Sequence, residues 1–142
     1  MYIMRFVSEQ GPALNLNAAS SHLESLDPDY SLGDDGLLNY AGHDLCFLDI
    51  VHANDDGFQE EIEELIEMVK DLATPRKEVV LSVLRNAKQL VVSEINFGDK
   101  ETEFVLSKLD PLWLWLFERH QGLLQVDGEG YYQGAKLILP VE

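Results

Sequence analysis

The stretch "FQEEIEELIEMVKDLA" (58–73) constrains the fold more than any other part of the chain. Phe58, Ile62, Leu65, Ile66, Val69 and Leu72 recur at spacings of three and four, which is one face of a helix. Glu60, Glu61, Glu63, Glu64, Glu67 and Asp71 fill the other faces. Such a helix cannot stand alone. Its apolar stripe needs a second layer, and the rest of the chain must supply it.

That second layer is written as strands. "YIMRFVS" (2–8) reads as a first strand, ended by Gln10, Gly11 and Pro12. "NAASSHLESL" (17–26) reads as a short helix with Asn17 as its cap. "DPDYSLGDDG" reads as loop. "LLNY" (37–40) and "DLCFLDIVH" (44–52) are two strands joined by "AGH", a link of hairpin length. Asp56 and Gln59 match a capping box for the acidic helix. Thr74 and Pro75 then restart a helix, and "QLVVSEINF" (89–97) is a strand stopped by Gly98.

Beyond it, 101–109 reads as a short helix or turn. Asp110 and Pro111 open a helix "LWLWLFERHQ", with Gly122 at its C′ position. A final hairpin pairs "LLQVD" (123–127) with "YYQGAKLIL" (131–139).

This order predicts an α+β fold. Residues 1–98 form a ferredoxin-like βαββαβ core with an antiparallel sheet, and 99–142 extend it with a helix and a β-hairpin. At 142 residues, the whole is expected to be a single domain. The alternative is an α+β arrangement in which the last hairpin joins the main sheet.

Charge decides which partners fit. The chain has 26 Asp and Glu against 10 Lys and Arg, a formal net charge of −16. That field repels nucleic acid and anionic lipid, so neither is an expected partner. A basic protein is attracted. The single cysteine, Cys46, excludes an intrachain disulfide and fits a cytoplasmic setting. No apolar run reaches the length of a membrane span. His22, His43, His52 and His120 form no metal-ligand spacing, and no nucleotide-binding or nucleophile motif occurs. No metal and no cofactor are therefore expected.

Three features remain as candidate sites. In a ferredoxin-like sheet the first strand lies between the third and fourth. Arg5 then sits between Asp49 and Glu94 on one face, as an ion network or a small pocket with a tuned carboxylate. The second feature is the carboxylate face of the acidic helix. The third is the C-terminal aromatic segment. Trp113 falls on the apolar helix face and anchors it to the sheet, whereas Trp115 points away, towards a partner or a second copy in a homodimer. "DGEG" (127–130) reads first as a turn, although Asp127 and Glu129 have the chemistry to face a cation or partner. The expected interaction surface is thus Glu60, Glu63, Glu64, Glu67, Trp115, Asp127, Glu129 and Tyr131.

The C-terminal run itself, Leu109 to Trp113, Trp115 to Phe117, Gly122 to Gln125 and Asp127 to Tyr132, resembles a family of small acidic bacterial proteins of unestablished function. The resemblance implies no catalytic residues. The reading that follows is a non-enzymatic protein-interaction module, akin in size and charge to immunity or inhibitor proteins. The alternative is a small enzyme or ligand-binding domain centred on Arg5, Asp49 and Glu94.

Overall fold

The computed structural model describes residues 2–141. Its elements are β1 (Tyr2–Gln10), α1 (Leu16–Leu26), β2 (Tyr30–Leu32), β3 (Leu37–Tyr40), β4 (His43–His52), α2 (Phe58–Val69), α3 (Lys77–Arg85), β5 (Gln89–Ile95), α4 (Thr102–Arg119), β6 (Gln121–Val126), β7 (Gly130–Gln133) and β8 (Lys136–Pro140). All the strands belong to one antiparallel sheet in the order β2-β3-β4-β5-β1-β6-β7-β8.

This corrects the ferredoxin-like expectation. The sheet has eight strands, and the C-terminal hairpin is part of it rather than an appendage. β1 pairs with β5 on one side and β6 on the other, and β4 is separated from β1 by β5. The reason lies in what alternation encodes. It specifies which face a side chain takes, not which strand is next door. Placing β5 between β4 and β1 keeps every face assignment and gives β5 an antiparallel neighbour on each side.

Helices cover both faces. On one, α1 and α4 pack over Met4, Phe6, Leu48, Val91, Leu124 and Val126. On the other, α2 and α3 pack over Val7, Leu90, Leu123, Tyr131 and Leu139. The α2 stripe behaves as its spacing predicts: Phe58, Ile62, Leu65 and Val69 are buried, and Ile66 is half-buried.

Several boundaries differ locally. Asn15, not Asn17, caps α1, its Oδ1 accepting from Ala18 N at 2.8 Å. Gly57, at φ +86°, stands at the start of α2 without a side-chain cap, so the Asp56–Gln59 capping box does not form. α3 begins at Lys77, after a turn at Thr74–Pro75. The segment 30–32, expected as loop, is an edge strand beside β3. "YYQGAKLIL" is itself two strands, turning at Gly134 and Ala135.

The largest difference is α4. It is one helix that contains Pro111 instead of starting there. Proline has no N–H, so the Ser107 carbonyl loses its i+4 donor. The helix survives because both halves are held by packing: Val105 and Leu109 before the proline, and Leu112, Trp113 and Leu116 after it, are buried. Nor is Gly122 a helix cap. It lies in β6 opposite Ser8, where a Cβ would sit 2.2 Å from the Val7 carbonyl.

Candidate functional site

The register separates the predicted triad. Asp49 faces Val92, Val92 faces Arg5, and Arg5 faces Gln125. Asp49 is therefore two strands from Arg5, about 10 Å at normal strand spacing. Glu94 lies opposite Ile3 and Phe47. All three share a face, as alternation requires, but Asp49 and Glu94 are exposed and neither bonds Arg5. The expected pocket around Arg5, Asp49 and Glu94 is not assembled.

Arg5 instead turns towards the C-terminal half. Its Nε donates to Glu61 of α2. Its Nη1 donates to Gln125 Oε1 at 2.7 Å and to Asp127 Oδ1 at 3.2 Å. Gln125 in turn donates to Asp127 Oδ1. The cation is thus matched by two carboxylates and an amide through its Nε and Nη1, an arrangement that ties α2 to β1 and β6. Tyr131, expected at the surface, is 2% exposed beside this network. Burial pushes its phenol well above the ordinary range, the nearby Asp127 adds to the rise, and Arg5 offsets part of it.

The same bonds answer what "DGEG" does. Asp127 Oδ2 accepts from the Ile3 backbone N–H at 3.2 Å, besides its contact with Arg5. Glu129 accepts from the hydroxyls of Tyr2 and Tyr132. Gly130 has φ +137°, and a Cβ there would lie 2.1 Å from the Leu139 carbonyl, so glycine is required by the close approach of β8. The segment is a turn whose carboxylates fasten it to β1.

Glu60, Glu63, Glu64 and Glu67 of α2 do face outward and are exposed. Their spacing of i, i+3, i+4 and i+7 makes one continuous stripe. Glu67 pairs with Lys70 and Glu63 accepts weakly from Gln59, while Glu60 and Glu64 have no partner among the described residues.

Trp115 is not at the surface. It is 8% exposed and stacks on His22 of α1, with ring centroids 5.0 Å apart at 12°. Arg119 covers the same ring at 5.7 Å. The tryptophan expected at a homodimer contact is thus spent on joining α4 to α1. Leu114, 61% exposed, takes the outward position.

Beside this pair lies the feature that sequence reasoning missed. A groove of about 880 Å³ opens between α1, α4 and the β6–β8 end of the sheet. Met4, Leu124 and Val126 line it from the sheet, and Trp113, Trp115 and Phe117 from α4. Its size and apolar lining suit a small ligand. Among the described residues its charged groups are Asp110, Glu118 and Glu129, with no lysine or arginine. Burial raises the Asp110 carboxyl above its usual range, and no side chain bonds it. Tyr2 lines the groove too; burial and Glu129 push its phenol up to about 12, so it remains a donor at neutral pH. The Trp113 indole N–H is buried with no acceptor.

On the other side of α4, His120 Nδ1 is 2.8 Å from Ser8 Oγ. Ser8 is fully buried, so no substrate reaches this pair as a nucleophile and base. Burial, and then the Arg119 charge, lower the His120 pKa. Cys46 is also buried, and its thiol is pushed up to about 12. Among the described residues no three His, Cys, Asp or Glu side chains gather to hold a metal ion, and no helix is long and apolar enough to cross a membrane. No family model, curated protein or solved structure matches the chain.

Proposed function

We propose that this protein is a non-enzymatic binding module that engages a basic protein through the outer face of α2, in the manner of an immunity or inhibitor protein. The observation that carries this reading is the stripe of Glu60, Glu63, Glu64 and Glu67. Glu60 with Glu64, and Glu63 with Glu67, are like-charge pairs at i,i+4, which destabilise a helix by about 0.2–0.5 kcal/mol each. A basic partner relieves that repulsion on docking. The net charge of −16 draws such a partner in from a distance. Glu61 is turned inward to Arg5, which fixes the helix rotation and leaves the other four carboxylates outward.

The test is affinity capture from lysate with the wild type and with Glu60→Lys, Glu63→Lys, Glu64→Lys and Glu67→Lys combined, at low and high salt. A basic protein held by the wild type, released by salt and not captured by the variant is the expected result. A partner captured equally by both proteins overturns the α2 assignment.

A further inference from the structure

The fixed charges on the groove wall are all of one sign. Asp110 and Glu118 of α4 and Glu129 of the β6–β7 turn supply carboxylates. Ser107 lines the wall as well, and its backbone carbonyl has Pro111 at i+4, so the usual helical donor to it is missing. Ser107, about one turn before Asp110, and Pro111, next to it, both line the groove. Around these acceptors stand the π-faces of Trp113, Trp115, Phe117 and Tyr132.

Carboxylates, a carbonyl without its usual helical donor and aromatic faces are what an organic cation needs. An ammonium carries three donors and no acceptor, so Asp110 and Ser107 can both take a bond from it. Its charge is attracted by aromatic faces, indole above all. An anionic ligand would meet three carboxylates and no cation in the lining. A neutral apolar ligand would fill the space but gain nothing from the three carboxylates.

The three carboxylates are not equivalent. Glu129 already holds the hydroxyls of Tyr2 and Tyr132, whereas Asp110 holds nothing. Arg119 lies over Trp115, where it competes for that ring but is absent from the lining. His22 is stacked on Trp115 and is, among the described lining residues, the one group able to gain positive charge.

We propose that the groove between α1, α4 and β6–β8 binds a small organic amine, with its ammonium at Asp110 and the Ser107 carbonyl and its apolar body against Trp113, Phe117 and Leu124. This site is on the opposite face of the sheet from the α2 stripe and does not depend on the protein partner proposed above.

Three probes of one shape separate the possibilities: 2-phenylethylamine, 2-phenylethanol and 3-phenylpropionate. Each is titrated into the full chain at neutral pH and low salt, and the two indole N–H signals are followed by ¹H–¹⁵N NMR. The amine is expected to shift both signals and to bind about tenfold more tightly than the alcohol, the combined scale of a part-exposed ion pair and a cation–π contact. Asp110→Asn is expected to bring the two probes to similar affinity while the alcohol binds as before. If Asp110→Asn does not fold, the wild-type ratio of amine to alcohol still decides the matter, with Glu118→Gln as the second variant. Equal binding of amine and alcohol by the wild type overturns the cation assignment and keeps an apolar groove. No shift of either indole by any probe overturns the groove as a ligand site.

Discussion

The two faces of the sheet handle charge in opposite ways. On the α2–α3 face, Arg5 is held by Glu61, Gln125 and Asp127, so that its charge is compensated from within the chain. On the α1–α4 face, among the described residues, Asp110 has no side-chain partner, the Ser107 carbonyl lacks its i+4 donor and the buried Trp113 indole N–H has no acceptor. The difference separates a brace from a site. A filled network holds elements together and has nothing left to offer a ligand, whereas unfilled groups beside an open groove can be completed only by something from outside.

The largest effect that sharpens this contrast is expected at Tyr131. If the α2–α3 face is closed at its Arg5 end, Tyr131→Ala removes a fully enclosed aromatic ring and destabilises the protein by about 3–5 kcal/mol. A change below about 1 kcal/mol in urea unfolding would mean that this end is open. Arg5→Met comes next. It strands Glu61, Gln125 and Asp127 as partly buried acceptors, for a loss of about 2–3 kcal/mol, since the pairs retain some solvent. Adding Glu61→Gln to it is expected to recover part of that loss, because one stranded charge disappears.

These substitutions also mark what the sequence could and could not convey. The α2 stripe was legible because six apolar positions repeat at helical spacing. The faces of Arg5, Asp49 and Glu94 were legible because alternation is a local property. Strand order was not, since it depends on which edges meet after collapse. Arg5 therefore went to Gln125 and Asp127, partners more than a hundred residues away, and not to Asp49. Trp115 misled for a related reason. A helical wheel assumes one buried face, and α4 is covered from two sides, by the sheet and by α1. Pro111 misled as a start signal, because propensity yields to packing on both sides of it. The groove left no contiguous signal, being built from β1, α1, α4, β6, β7 and the β7–β8 turn. The one hint was Ser107 four residues before Pro111, an acceptor whose donor is missing by covalent structure.

A smaller effect concerns acid. His120 is held below its ordinary value of 6.5 by burial and by Arg119. The unfolded chain therefore takes up the proton first as the pH drops. The stability contributed by neutral His120 is complete above about pH 6.5 and is lost as the pH falls from there through its folded value. His120→Gln is expected to flatten unfolding free energy against pH in that window. An unchanged slope would assign the acid sensitivity to carboxylates.

The smallest effect is on the outer stripe. Glu64→Lys removes one like-charge pair and gives Glu60 a lysine at i+4. It is expected to stabilise the free protein by about 0.5 kcal/mol at low salt, with the gain shrinking as salt rises. A destabilisation would show that Glu64 has a structural partner and would weaken the case for a free acidic face.

The contrast between the two faces can be read in one titration. With 2-phenylethylamine added to the ¹⁵N-labelled protein, the indole N–H signals of Trp113 and Trp115 and the Nε–H signal of Arg5 are followed in the same spectra. A filled brace and an open groove predict that both indole signals move saturably while the Arg5 signal stays fixed. Movement of the Arg5 signal with the amine, or a pair of unmoved indoles, would contradict the division of the molecule into a closed face and a receptive one.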